Sequence, residues 1–339
     1  MRIAVLYNHD FDHLPEGVER RSQDAILGVA SAVELALRAR GAEVAAIALD
    51  ADPTALLGRL GKERFDLVVN LCESLGGDAR GEMLVPGLLD LAGVSYTGSG
   101  PLALALALHK SKAKDLLRGC EVVTPASALV VTPAEAEALE FPLPAIVKPA
   151  HEDASIGIDR HSVVQDRASL VQVCRRVLDR HRQPALVEQY VDGRELNVAL
   201  LGNPPEALPI SEIDFTRVEP GCPHIVTYAA KWDESSTEYL ATPPVRCTLP
   251  PELEQRVIRT ARAAFVALDC RDYGRVDIRL SREGMPYVIE VNPNCDLSPE
   301  AGYARAAAAA GLGYEDLVWR LVEVARERTG EPRSADRTG

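Results

Sequence analysis

The sequence has no Cys-x-x-Cys pair: its seven cysteines are scattered and odd in number. That excludes a disulfide framework and points to a reducing compartment. It has no apolar run of the roughly 18–20 residues that crossing a bilayer requires; the longest candidate, LALALALH after Pro101, is too short. The N-terminus MRIAVLYN reads as a buried strand, not as a charged leader followed by a long apolar core. Positive charge is in deficit, with 37 Lys and Arg against 50 Asp and Glu and a net charge of −13. This excludes a broad nucleic-acid-binding surface. It leaves room for a nucleotide held locally by a few lysines, backbone amides and metal ions. There is no G-x-S-x-G and no G-x-x-x-x-G-K-[ST]. No cysteine has a neighbouring base in sequence, and His109, His151 and His224 lack metal-ligand spacing, so we read them as surface or supporting groups. We expect a soluble cytoplasmic protein with neither nucleic-acid nor membrane partners.

The chain has 339 residues, 47% of them hydrophobic, which is more than one small core and implies two or three domains. Over the first hundred residues strands alternate with helices: 2–8, helix 22–40 stopped by Gly41, 43–49, 65–71, a helix ending at Gly93, and a short fourth strand VSYTG. This α/β alternation predicts a parallel sheet covered on both faces, with ligands beyond the carboxyl ends of its strands, near 7–10 and 70–78. One helix is predicted over 101–119. A second unit follows, with strands 127–131, 143–148 and 160–164, helix 166–181 and strand 184–189. A third holds strands 194–201 and 207–214, helix 250–268, a hairpin, and helices after Pro299 and Gly313. The polar segment 215–247 is the length of a functional lid or a disordered stretch. The tail 330–339 is expected to be disordered.

The hairpin, GRVDIRLSREGMPYVIEVNPN (274–294), poses a question. Pairing Leu280 with Tyr287 puts Asp277 opposite Glu290 and Arg275 opposite Asn292, and like charges directly opposite destabilise a sheet. Either a hard cation such as Mg²⁺ lies between them, or this is a solvated face on which Arg275 and Arg279 neutralise Asp277. In IVKPAHEDASIG (146–157) a lysine leaves a buried strand, and the small-residue loop up to Gly157 has amides that could cradle phosphate, or is an ordinary turn. In ALVEQYVDGRELNVAL (185–200), the hinge Glu188, Gln189, Tyr190, Val191 could hydrogen-bond an adenine ring and Glu195 a ribose, or this is a plain strand–turn–strand. Lys231 lies in the 215–247 segment, as a lid residue or a solvated lysine.

Taken in order, these pieces resemble one family, the ATP-grasp carboxylate–amine ligases, and within it the D-alanine–D-alanine ligases. The likeness runs from about residue 1 to 328. It is strongest in GLLDLAGVSYTGSGPLALALALHKSKAK, FPLPAIVKPA, LVEQYVDGRELNVALLG, YAAKW and the hairpin. The resemblance implies an N-terminal substrate-binding domain (1–108) and two ATP-grasp domains (109–191 and 192–329) enclosing ATP. It implies Lys110 and Lys148 on the ATP phosphates, with Ser155 and Gly157 in the adjoining loop. It also implies 188–191 on adenine, Glu195 on ribose, and Asp277, Glu290 and Asn292 on two Mg²⁺ ions, or Mn²⁺ in their place. Arg275 would steady the transferring phosphoryl group and Lys231 would close from the lid. A carboxylate would attack the γ-phosphate, and an amine would then attack the acyl phosphate. Relatives are commonly homodimers through the first domain.

The amino-acid half departs from the pattern. Asp24 falls where the ligases carry a glutamate for the first substrate's amine. Ala154 replaces a serine and Trp232 a tyrosine, which removes an acid–serine–tyrosine link. The loops NLCESLGGDARGE and NPNCDLSPEAGYARAA are also rewritten. Asp24, Glu73 and Asp78 suggest an amine-bearing substrate, and Arg80 suggests a carboxylate. The expectation is an amide-forming ligase for an amino-acid-like substrate other than D-alanine. The alternatives are a D-alanine–D-alanine ligase, a kinase that makes a phosphate without ligation, and a nucleotide-binding protein without turnover.

Overall fold

The computed structural model describes residues 1–9 and 20–330, with side chains from Ala25 onward in the second range. The loop after the first strand, the Asp24 side chain and the tail from 331 lie outside the described residues.

The first stretch runs β1 (Arg2–Asn8), α1 (Arg20–Ala39), β2 (Glu43–Leu49), α2 (Thr54–Lys62), β3 (Leu67–Asn70), α3 (Leu84–Leu91), α4 (Pro101–Leu108) and α5 (Lys110–Gly119). Its three strands are parallel, in the order β2–β1–β3. β1 is apolar throughout because both faces are covered: Ile3 and Val5 enter one core with Val29, Val33 and Leu37, while Ala4 and Leu6 enter another with Leu56, Leu60 and Leu89. VSYTG does not become a fourth strand and makes only a single parallel bridge, Val68 to Tyr96. Its other polar groups are taken elsewhere: Arg328 donates to the Tyr96 carbonyl (2.7 Å) and the Gly98 N–H donates to Asp272 (3.0 Å). The helix expected over 101–119 is two helices. The chain breaks at His109 (φ −82°, ψ 74°), which aims Lys110 in a new direction.

The second stretch is β4 (Ser127–Val130), α6 (Pro133–Ala138), β5 (Ala145–Pro149), β6 (Val163–Val164), α7 (Arg167–His181) and β7 (Ala185–Gln189), with strand order β4–β7–β5–β6. The strand expected over 160–164 shrinks to β6. Arg160–Ser162 is instead a 3₁₀ turn, because the Asp159 carboxylate accepts from the His161 N–H.

The third stretch holds β8 (Gly193–Leu201), β9 (Glu206–Ala207), β10 (Ser211–Ile213), α8 (Tyr228–Trp232), α9 (Thr237–Ala241), β11 (Pro244–Arg246), α10 (Pro251–Ala267), β12 (Tyr273–Ser281), β13 (Pro286–Asn292), α11 (Gly302–Ala309) and α12 (Tyr314–Arg328). Its sheet runs β11–β10–β8–β12–β13, with β9 on β8. The segment 215–247 thus contains two short helices, capped by the hydroxyls of Thr227 and Ser236, and one strand. α12 returns to the first stretch, where Leu317, Leu321 and Ala325 share the core of Val33 and Leu37. Among the described residues no helix is long and apolar enough to cross a membrane.

The hairpin register needs one correction. Asp277 does lie across from Glu290 and Arg275 from Asn292, but Leu280 pairs with Pro286 and Ile278 with Val288, so Tyr287 meets Arg279. A bulge leaves Ile289 as the extra residue. It turns Val288 and Val291 both into the core with Val276 and Ile278, so Val288 does not share a face with Glu290. The irregularity lets one short strand bury its apolar residues and still present Glu290 and Asn292 on the other side.

Candidate active site

Between the second and third sheets lies a cleft of about 630 Å³. Lys110, Lys148, Ser155, Glu188, Gln189, Tyr190, Val191, Glu195, Lys231, Arg275, Asp277, Glu290 and Asn292 all line it, brought there from seven elements and loops. Gly157 does not line it. A Cβ there would sit 2.7 Å from Pro149 Cγ and 2.8 Å from His181 Nε2, at φ +76°, so packing behind the loop demands glycine. Ala154 and Ser155 are also left-handed, at φ 55° and 61°.

Protein cations separate the facing acids. Arg275 binds Asp277 through two bonds (2.7 and 2.8 Å), and Asn197 Nδ2 donates to the same carboxylate (2.8 Å). Lys110 Nζ bridges Glu290 and Asp153, the latter at 2.6 Å. Burial alone would raise the Glu290 carboxyl, but Lys110 and Lys148 outweigh it and hold it at about 2. Burial would likewise lower Lys110, yet Asp153 and Glu290 carry it above the ordinary lysine range. Among the described residues no group of three or more His, Cys, Asp or Glu could hold a metal. The set here is two carboxylates and an amide, which fits a hard cation that takes its other ligands from water and phosphate.

A second charged group was not legible in the sequence. Glu188, 2% exposed, is bridged by Lys148 and by Lys114, itself 2% exposed. Lys114 also donates to Thr124 Oγ1 (2.9 Å), whose hydroxyl donates to the Val288 carbonyl (2.8 Å). Burial pulls the Lys114 ammonium down to about 8 against the attraction of Glu188. Lys114 stands four residues after Lys110, one helical turn on, and that spacing was the available signal. At the far end, Arg279 pairs with Glu195 (2.9 Å) and lies over Phe215.

The helix Tyr228–Trp232 faces the loop 150–157 directly. Trp232 Nε1 donates to the Ala154 carbonyl (3.0 Å), and the Tyr228 N–H donates to Ile158 O (3.0 Å). Trp232 therefore bonds the Ala154 backbone where the resemblance implies a serine hydroxyl; the acid of the expected link, Asp24, has its side chain outside the described residues. Lys231 has no carboxylate within ion-pairing distance among the described residues. Burial and the Arg275 charge lower its pKa. A Trp232→Phe variant is expected to lose about fivefold in kcat/KM for the amino-acid substrate, the worth of one neutral hydrogen bond of about 1 kcal/mol. Steady-state kinetics against both substrates checks this, and an effect confined to ATP overturns it.

A second cavity of about 540 Å³ adjoins the cleft and shares Asp153, Ala154, Lys231, Trp232, Asn292 and Asp296 with it. Glu73, Asp78 and Arg80 line it, but Arg80 is folded back onto Asp78 (2.6 Å). Glu73 is exposed to this cavity. Desolvation within it, with the Asp296 charge, pushes its carboxyl up to about 7. Because the raised pKa favours the protonated folded form, stability falls as pH rises from 4.5 to about 7. Glu73→Gln is expected to melt higher than wild type above that window and with it below, as thermal scans across pH would show.

Comparison with known proteins places the chain. A family profile described as D-ala D-ala ligase C-terminus matches residues 127–323. A D-alanine–D-alanine ligase from an Anaeromyxobacter species is 30% identical over 329 residues, covering 95% of this chain and 96% of that one. An uncharacterized protein of Sinorhizobium fredii is 39% identical over 270 residues, covering 77% and 75%. The crystal structure of the Bacillus anthracis D-alanine–D-alanine ligase complexed with ATP superposes with a TM-score of 0.74 at 22% identity, covering 98% of this chain and all of that one. The three sheets, the cleft between the second and third, and these relatives together establish that the chain is an ATP-grasp enzyme belonging to the D-alanine–D-alanine ligase family.

Proposed function

We propose that the protein is an ATP- and Mg²⁺-dependent ligase joining a carboxylate to an amine, with an amino-acid-like substrate other than D-alanine. The observation that carries this reading is the meeting of the two cavities at Lys231, Trp232 and Asn292, with ATP-type chemistry on one side and a changed lining on the other. Nucleotide would lie between segments 109–191 and 192–329, its phosphates on Lys110 and Lys148 and its base against 188–191. Bound Mg²⁺, held by Asp277, Glu290 and Asn292, would neutralise the phosphoryl oxygens. Arg275 and Lys231 supply positive charge where the transferring group develops negative charge. The Trp232 contact to Ala154 closes the lid on the loop, which keeps water from an acyl phosphate. The amine then displaces phosphate, a better leaving group than carboxylate oxygen.

The test is ADP release from Mg·ATP with D-alanine and then with a panel of amino acids and small carboxylates, each product weighed by mass spectrometry. A product carrying an amide bond and lacking D-alanine supports the reading. A D-alanyl-D-alanine mass at full turnover overturns the substrate half of it.

A further inference from the structure

We propose that the second cavity takes a substrate with a cationic head on an aliphatic stem, an amino acid of the diamino-carboxylate type, with the ammonium held between Glu73 and Glu82. This rests on the ligase reading above and names the substrate class of that site.

Two independent features point to such a ligand. The first is Glu82, only 9% exposed, which lines the cavity. One of its oxygens accepts from Asn294 Nδ2 (2.7 Å). The other has no partner among the described residues, although burying a carboxyl without a counter-charge is costly. Burial, opposed by the Asn294 bond, raises its pKa well above the ordinary carboxylate range. Asn294 is itself pinned, donating to the Cys72 carbonyl (2.9 Å) and accepting from Tyr273 Oη (3.1 Å), so Glu82 has a fixed seat. Glu73 opens on the same space and also has no side-chain partner among the described residues. The Glu73 charge adds to the cost of ionising Glu82, and the Asp296 charge to that of ionising Glu73, since like charges close together disfavour ionisation. An ammonium placed between the two glutamates would offset both.

The second feature is the apolar part of the lining. The buried side chains Ile26, Val29, Leu104 and Leu108 back the cavity. A stem of methylene groups is compatible with that lining, which offers it no polar partner to desolvate. Of the lysines and arginines on the lining, Arg80 is paired with Asp78, Lys231 stands at the junction where a carboxylate would be phosphorylated, and Arg182 is exposed to solvent. The arrangement therefore runs from a carboxylate-accepting end at Lys231 to an ammonium-accepting end at Glu73 and Glu82.

The experiment is ADP release with Mg·ATP and the full chain, comparing alanine, norleucine, ornithine and lysine in both chiralities, with product masses. The diamino acids are expected to exceed their neutral counterparts by about 10- to 100-fold in kcat/KM, the worth of a hydrogen-bonded charge contact. Glu73→Gln and Glu82→Gln should each raise KM for the diamino acid about 10-fold or more and leave KM for ATP unchanged. Turnover with norleucine or alanine equal to that with the diamino acids overturns the substrate class while keeping the ligase reading. Unchanged KM in both variants also overturns it. No ADP release with any amino acid or carboxylate overturns both.

Discussion

Replacing Glu290 by glutamine is expected to lower ADP release by about 10²–10³-fold, in line with removal of one preorganised charge from a phosphoryl-transfer site. The change keeps the shape of the side chain and removes its charge. Fold damage should be small, since Lys110 retains Asp153 at 2.6 Å and the strand pairing with Asp277 is made by backbone. The loss should appear in kcat with no comparable change in melting temperature. Lowering Mg²⁺ should hurt the wild type and leave the residual activity of the variant nearly flat. Turnover within a few-fold of wild type would remove Asp277, Glu290 and Asn292 as the metal-holding set. It would return the facing acids to a face neutralised by Arg275 and Lys110.

Asp272→Ala should have the largest effect on stability, about 3–5 kcal/mol, the cost of breaking a buried charge pair. Asp272 is fully buried immediately before β12. Its carboxylate accepts from the Gly98 N–H (3.0 Å), Asn203 Nδ2 (2.7 Å) and Arg328 Nε (2.9 Å). Arg328 also holds the Tyr96 carbonyl, so one side chain ties the first sheet, the third sheet and the last helix together. Asp272 has φ 64°, a conformation that asparagine tolerates better than alanine. Asp272→Asn should therefore be milder than Asp272→Ala, and denaturant titration of both variants separates backbone strain from lost charge. If alanine and wild type unfold together, the three-way tie contributes nothing.

The first of these predictions could be framed from the sequence and the second could not. Asp277 and Glu290 face each other when Leu280 pairs with Tyr287, the register the sequence suggests; with Leu280 on Pro286, as the structure has it, the bulge at Ile289 restores the same facing. The Asp272 network joins residues 174 apart in sequence, Gly98 to Asp272, and no local pattern marks such a pair. The same contrast holds at His109. No Gly or Pro interrupts 102–118 in the sequence, yet the helix breaks at His109 and Lys110 reaches Glu290 and Asp153.

What the sequence by itself determined is therefore what depends on local periodicity and on motif order: the alternating first hundred residues, the hairpin with its acids, the lysine-ended strand, the hinge, and the family they spell out together. What only the tertiary structure decided is what depends on which distant groups are buried together. Lys114 shares Glu188 with Lys148 because Lys114 and Glu188 are both buried, where an unpaired charge would be costly. Gly157 is required by the packing of Pro149 and His181 at its positive φ. Trp232 finds a backbone carbonyl in place of the absent serine hydroxyl. Glu82 is a sequence-anonymous acid at the end of a loop, and burial beside Asn294 is what gives its carboxyl a fixed direction and an unmet need for a cation. Desolvation and pairing are properties of an environment assembled from remote segments, so they are set when the chain packs and leave little trace in the order of its residues.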